Sequence, residues 1–263
     1  MTTVRNESPT ARPGKSSRRA WWIFGGALTA AVLVMALIAA GAWIWAVSSP
    51  NETGTRAETY PQPVAGVDLD VSVGEVNLTA GDGEELEVRS DLTWKGTEPR
   101  IEEEMTADGV FEARADCRED FPFQLFGDQC EIDYTLGVPS GTETSVRTDV
   151  ADINVDGIDG DLSLETEVGD VDARQLRTSA TSVESGVGDI VLAFDEMRGD
   201  IDVESGVGDL TILVPDDGTT YDVRLDTGVG EQDIDIATDP TSEADYVINA
   251  TTGVGDLEVR YGD

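Results

Sequence analysis

A four-residue motif recurs along the second half of the chain and constrains its fold more than any other feature. Its first position varies, and valine, glycine and an acid follow in that order. The copies are Glu167–Asp170, Gly186–Asp189, Gly206–Asp209, Gly228–Glu231 and Gly253–Asp256, with an earlier relative at Ser72–Glu75. Self-similarity at intervals of roughly 20 residues is typical of a repeat architecture, in which each unit needs its neighbours to bury an apolar face.

The residues that follow the motif predict what each unit looks like. Half-period copies at Asp152, Asp161 and Asp200 give a strand-and-turn unit of about 9–11 residues, two to a coil. Each acid precedes an apolar-x-apolar triplet, which places two side chains inward and one outward. The triplets start at Ile153, Leu162, Val171, Ile190, Ile201, Leu210 and Leu257. The sequence therefore predicts an all-β fold, a β-solenoid of short stacked strands.

The region before the repeats also alternates between apolar and polar residues. Val67, Leu69 and Val71 show the period of two that indicates a strand. Further strand candidates are Leu86–Trp94, Val110–Ala115 and Ile132–Val138. The composition of Arg100–Met105 permits the start of a helix, although its flanks give little support. The predicted solenoid domain covers residues 64–263.

An apolar run near the N-terminus predicts one transmembrane α-helix before the solenoid. Residues 21–47 contain no charged side chain, and a bilayer core needs about 20 apolar residues. Tryptophans at both ends are expected to lie at the membrane interfaces, namely Trp21, Trp22, Trp43 and Trp45. A cleaved signal peptide is the alternative, because small residues at 46–48 could be a cleavage site, but its apolar region would be shorter.

The flanking segments predict the orientation of this helix. Residues 1–20 carry five basic side chains and one acid, so this tail is expected to be cytoplasmic and the C-terminal domain extracellular. Residues 48–63 contain Pro, Ser, Thr and Glu without apolar periodicity, which predicts an extended linker. The expected location is the cell membrane, with a single pass.

Composition excludes several classes of function. The chain has no histidine, which rules out Ser-His-Asp and Cys-His nucleophiles and His-ligated metals. Its 54 acids against 17 bases give a net charge of -37, so a nucleic-acid-binding surface is not expected. No catalytic residue and no cofactor are predicted.

Cys117 and Cys130 are the only cysteines, and both lie in the predicted extracellular part. An oxidising exterior favours a disulfide between them, worth roughly 3 kcal/mol in the chain-entropy model. The loop that this bond would close contains the aromatic segment Phe121–Phe126. Two interpretations remain: the segment covers an open end of the core, or it forms a hydrophobic contact surface for a partner or the membrane.

The repeated acids raise an electrostatic problem. In-register stacking would place carboxylates about 4.8 Å apart, and each pair would repel by roughly 0.9 kcal/mol even in water. Either turn amides bind the carboxylates, or cations lie between coils. The weak candidates for a calcium site are Asp170, Asp189, Asp209 and Asp256.

The series of segments resembles the bacterial putative-adhesin family. The resemblance rests on Ile132–Gly141, Val146–Thr148, Ala151–Val155 and Gly157–Leu162, followed by the Gly-Asp-Ile/Leu strands, and covers roughly Val64–Arg260. It implies an extracytoplasmic β-strand-repeat domain of unknown function, tethered to the membrane, with some relatives tied to envelope stress. It supplies no catalytic motif.

The leading functional hypothesis is a membrane-anchored, non-catalytic module. It would act as an adhesin-like interaction partner or as a structural or stress-related part of the cell envelope, with an unidentified envelope protein or surface ligand as partner. One alternative is a β-helical polysaccharide lyase or hydrolase that uses carboxylates alone, such as Asp189 and Asp209. Another is a calcium-stabilised surface repeat protein.

Overall fold

The computed structural model describes residues 32–38, 40–41, 51–61, 63–81, 83–117, 130–239 and 244–262. Residues 32–38 and 40–41 are helical and belong to a unit, Met1–Pro50, that is distinct from the unit Asn51–Asp263. Among these described residues, no helix has the length and apolar character needed to span a membrane. The four tryptophans expected at the membrane interfaces and the aromatic segment Phe121–Phe126 lie outside the described residues.

The second unit consists of strands that form one continuous sheet. The strands that the structure describes are β1 Glu52–Tyr60, β2 Gly66–Ala80, β3 Leu86–Trp94, β4 Arg100–Met105, β5 Val110–Asp116, β6 Cys130–Val138, β7 Glu143–Asp156, β8 Leu162–Val168, β9 Val171–Leu176, β10 Ala180–Val187, β11 Ile190–Phe194, β12 Asp200–Val207, β13 Leu210–Val214, β14 Tyr221–Val229, β15 Gln232–Asp235, β16 Tyr246–Val254 and β17 Leu257–Tyr261.

The sheet winds into the coils that the repeats predict. Each coil has two strands joined by a corner, so β8 and β9 form one coil and β10 and β11 the next. The first strands of successive coils pair in parallel, as do the second strands. The long strands β2 and β7 each supply both halves of a coil. The all-β, solenoid-like fold predicted from the sequence is confirmed.

Register keeps equivalent residues in columns along the stack. Ile190 pairs with Val171 on one side and with Leu210 on the other, and Leu210 pairs with Leu257. All four side chains are buried. The core is thus built from columns of valine, leucine and isoleucine, because every apolar-x-apolar triplet points the same two positions inward.

The order of coils in space departs from their order in the sequence. Strand β16 pairs with β12 on one side and β14 on the other, and β17 likewise lies between β13 and β15. The last coil of the chain is therefore inserted before the β14–β15 coil, which ends the stack.

The other end of the stack is built differently. Strands β5 and β6 pair in parallel with the two halves of β2, and antiparallel strands then extend both edges: β4 on β5, β3 on β6, and β1 on β3. Two expectations from the sequence are not met at this end of the stack. Residues 52–60, within the expected linker, form β1, because their backbone pairs along the whole of β3. Residues 100–105 form a strand rather than a helix, because alternate side chains turn toward the core.

The predicted disulfide is confirmed. Cys117 follows β5 and Cys130 begins β6, with an S–S distance of 1.99 Å and a Cα–Cα distance of 5.8 Å. The bond closes the corner of this coil at the point where the other coils have their Val-Gly-acid turn.

Candidate functional site

The corner between the two strands of each coil carries the repeated motif. At the Gly208 corner, φ is +154°, a backbone conformation that side chains disfavour. A Cβ at this position would lie 1.9 Å from the carbonyl oxygen of Gly188 in the adjacent coil. The motif keeps its glycine because the backbones of neighbouring coils touch at the corner.

Hydrogen bonds join the corners of neighbouring coils. Between the Gly188 and Gly208 corners, the N–H of Gly188 donates to the carbonyl oxygen of Val207 at 3.0 Å. The N–H of Asp209 donates to Oδ1 of Asp189 at 2.8 Å, and the N–H of Ile190 donates to the carbonyl oxygen of Asp209 at 2.9 Å. The aspartate side chain therefore completes the backbone pairing where the strands break.

The same carboxylate-to-amide bond repeats down the stack. It links Asp170 to Asp152, Asp189 to Asp170, Asp256 to Asp209, and Glu231 to Asp256, at distances of 2.8–2.9 Å between the donor nitrogen and Oδ1. Near the disulfide, Asp133 accepts from the N–H of Glu75 at 3.0 Å. Of the two ways to relieve repulsion in the acid column, the structure shows the first, in which turn amides bind the carboxylates.

The four aspartates that the sequence offers as weak candidates for a calcium site all lie in this one column. In the described part of the chain, no group of three or more Asp, Glu or Cys side chains is arranged to hold a metal ion. The column is a line of exposed carboxylates, each with one oxygen bound to an amide of the next coil.

A column of valines lies beside the acids. We use the name valine column for Val150, Val168, Val187, Val207, Val254 and Val229. These residues pair with one another in register across neighbouring coils, and between 46% and 67% of each residue is exposed. Because the six valines are strand neighbours, they form one continuous exposed apolar strip that crosses six strands.

The alternation in the sequence does not predict the exposure of these valines. Strict alternation from Leu162 through Leu164 and Thr166 would turn Val168 inward. The corner interrupts the alternation, so Glu167 and Val168 are both exposed. The sequence did carry a signal for this exposed column: a valine precedes the turn glycine in every copy of the motif.

Acidic side chains border most of the valine column on both sides. On one side are the exposed corner acids already described. On the other side, the outward face of the first strands carries the exposed residues Glu165, Glu184 and Glu204, which pair in register. At one end of this row Arg147 forms an ion pair with Glu165 at 2.8 Å, and beyond Glu204 the row continues through Thr251 to Asp226.

Glycines separate the valines from the exposed residues Glu184, Glu204, Thr251 and Asp226 in the later coils. Gly186, Gly206, Gly253 and Gly228 directly precede valines of the column, and all four are exposed. A side chain is thus missing from each position between the two rows. The resulting surface is a shallow apolar strip with acidic residues along its edges.

Burial perturbs ionisable groups at the end of the stack near the disulfide. Burial raises the pKa of the Tyr134 hydroxyl, which donates a hydrogen bond to Glu103 at 2.7 Å. Burial also raises the pKa of Asp133, with a further contribution from the neighbouring Glu131. Neither residue is a member of the valine column.

The fold defines a class, that of β-repeat domains whose coils stack through a Gly-acid corner. The profile of the Toastrack DUF4097 family matches residues 67–260, which is most of the second unit. The chain belongs to this family. The resemblance to a family of putative adhesins is therefore confirmed.

Solved structures with a similar fold carry names of adhesion proteins. A putative cell adhesion protein from Clostridium sporogenes is 15% identical, with a TM-score of 0.51, and the match covers 81% of this chain and 100% of the other. A putative adhesin from Bacteroides fragilis is 16% identical, with a TM-score of 0.44 and coverage of 79% and 97%. At this identity the first of them shows the fold alone. No curated protein matched the chain.

Proposed function

We propose that this protein is a membrane-anchored, extracytoplasmic interaction module, adhesin-like and non-catalytic, that serves the cell envelope. The observation that supports it best is the valine column. An exposed apolar strip that persists through successive coils has no role in the core, since the inward columns already fill it. Continuous exposed apolar strips on soluble domains commonly mark contact surfaces.

The remaining features support the same proposal. The names of the similar solved structures refer to adhesion. The uncharged run of residues 21–47, with basic residues before it, supports a single-pass anchor with the solenoid outside. The disulfide between Cys117 and Cys130 supports an oxidising location, because cytosolic proteins rarely keep such bonds.

The first experiment tests location. Membranes from cells that express the full chain are washed with carbonate and then with detergent, and intact cells are treated with protease. The expected result is release by detergent alone, together with loss of the solenoid from protease-treated intact cells. Release of the intact chain by carbonate would contradict the anchor, and full protection from protease would contradict the extracytoplasmic placement.

The second experiment tests the surface. Intact cells are treated with a chemical cross-linker, and the partners of the full chain are compared with those of the triple variant V187T/V207T/V254T. Threonine keeps the β-branched shape and removes a methyl group's worth of apolar surface. The expected result is a loss of cross-linked partners in the triple variant. The matched control is V191T, which changes a half-buried valine on β11 outside the column. Equal partner yields from all three chains would contradict the proposal.

A further inference from the structure

The valine column and its acidic borders together specify a partner, and this inference rests on the proposed interaction function. We propose that the valine column docks a cationic amphipathic α-helix of another protein. The helix would lay an apolar stripe along the valines and place Lys or Arg side chains on both sides of that stripe.

The valine column offers a continuous apolar area to a partner. Each valine of the column leaves about half of its surface in water, and neighbouring valines are adjacent strand partners. A partner that covers the strip therefore removes a continuous line of apolar surface from water rather than isolated spots. The hydrophobic gain is proportional to that area.

Charged side chains border this apolar strip. Asp189 and Asp209 border the strip on one side, and Glu184 and Glu204 border it on the other. Each of the two aspartates accepts the amide of the next coil at Oδ1, and both residues remain exposed. A partner with basic side chains on both sides would gain from both rows. Anionic surfaces, including acidic lipid headgroups, would be repelled.

The two acidic borders distinguish a helical partner from an extended strand. An amphipathic helix presents an apolar stripe with polar residues on either side of it, so one face matches all three rows. In a strand, the residues between the apolar ones point to the opposite face, and basic side chains could not reach both borders at once. The arrangement of the borders therefore favours the helix.

Length completes the fit. The six valines occupy adjacent strands about 4.8 Å apart, which gives a strip of roughly 24 Å. An α-helix rises about 1.5 Å per residue, so roughly 16 residues, or between four and five turns, would run along it. Helices of this length are common.

The test uses the full chain in an uncharged detergent and a fluorescent 18-residue peptide made of Leu and Lys, with Lys on both sides of a helical Leu stripe. Fluorescence anisotropy measures binding, with detergent alone as the blank. We expect V187T/V207T/V254T to weaken binding about tenfold, while V191T leaves the Kd unchanged. Raising the salt concentration is expected to weaken binding several-fold, because the acidic borders are exposed.

Three further probes can overturn the proposal. A twin peptide with Glu in place of Lys is expected not to bind, and equal binding by it would show that charge complementarity plays no part. A scrambled Leu/Lys peptide that binds as tightly, or equal binding of the original peptide by the triple variant, would show attraction by net charge alone. Valine-dependent binding of phosphatidylglycerol vesicles in preference to the peptide would identify a membrane surface instead.

Failure of this proposal is distinguishable from failure of the proposed function. If the triple variant loses its cross-linked partners on cells but the Lys peptide does not bind, the valine column is an interaction surface whose partner is not a cationic helix. If the cross-linked partners also persist, the interaction function at this surface fails as well.

Discussion

The backbone N–H of Asp209 donates to Oδ1 of Asp189, the residue one coil away, at 2.8 Å. Asp189 in turn donates its own N–H to Oδ1 of Asp170 at 2.9 Å. Each aspartate of the column thus acts once as donor and once as acceptor. The row of acids therefore joins neighbouring coils through hydrogen bonds. Its exposed negative charge is also available to a partner.

Replacement of Asp189 separates the hydrogen bond from the charge. D189A removes the acceptor of the Asp209 amide and is expected to lower the free energy of unfolding by about 1 kcal/mol. D189N keeps an Oδ1 acceptor and removes one charge from a repelling row, so its stability is expected to equal or slightly exceed that of the unchanged chain. Urea denaturation of the full chain in uncharged detergent measures both.

The control for this pair is E184A, which removes an exposed carboxylate on β10 in the neighbouring row. Its effect is expected to stay within about 0.5 kcal/mol, as for most surface substitutions. If D189N destabilised the chain as much as D189A, the charge rather than the acceptor would be responsible, and the role given to the hydrogen bond would be wrong.

Substitution of Gly208 tests the close approach of neighbouring corners. Alanine at this position would combine a φ of +154° with a Cβ placed 1.9 Å from the carbonyl oxygen of Gly188. We expect G208A to destabilise the solenoid by more than about 3 kcal/mol, because backbone atoms of two coils must separate. Thermal unfolding followed by circular dichroism measures the loss.

Gly218 provides the matched comparison. It also has a positive φ, of +90°, but no atom of the described chain lies within 4 Å of the Cβ that alanine would add. G218A is expected to cost only about 1 kcal/mol, from backbone strain alone. Similar losses in G208A and G218A would mean that the contact between corners contributes little.

The repeat made the coils predictable, because the same two apolar positions return after every corner. The sequence could not indicate where the last coil lies. Strands β12, β14 and β16 end in Val207, Val229 and Val254, each followed by glycine and an acid, so any of them can pair with either neighbour in the same register. The repeated pattern therefore does not determine the insertion of β16.

The edge strand β1 was missed for a different physical reason. Most of its side chains are exposed, and its pairing with β3 depends on backbone hydrogen bonds. Such a strand leaves no apolar period in the sequence. The valine column was missed because alternation is a local rule, and the corner resets it within two residues, as at Glu167 and Val168.

Reduction of the disulfide tests its contribution to stability. Cys117 and Cys130 are 13 residues apart, and the chain-entropy model gives roughly 3 kcal/mol for a loop of this length. Dithiothreitol is expected to lower the Tm of the full chain by several degrees. The variant C117S/C130S should start at the lower Tm and not respond to the reductant. A response of that variant, or an unchanged Tm in the parent chain, would contradict the prediction.

The pH dependence of stability should differ in sign between two aspartates. Burial opposes ionisation of Asp159, but hydrogen bonds from Ser140 at 2.6 Å and the N–H of Gly141 at 2.7 Å outweigh it and lower its pKa. A carboxyl whose folded pKa is lowered contributes stability above its unfolded pKa of about 3.9 and loses it as the pH falls through the folded value. The destabilisation caused by D159N should therefore be larger at pH 6 than at pH 2.5.

Asp133 is the opposite case, because burial and the charge of Glu131 raise its pKa. Its protonated form is favoured in the folded state, so its contribution to stability is present below about pH 3.9 and is lost as the pH rises through the folded pKa. D133N, which keeps an acceptor for the N–H of Glu75, should therefore gain stability relative to the parent chain as the pH rises from 2.5 to 6. Denaturation midpoints of both variants and the parent at the two pH values measure the effect, and the same direction of change in D159N and D133N would contradict the assignment of these two shifts.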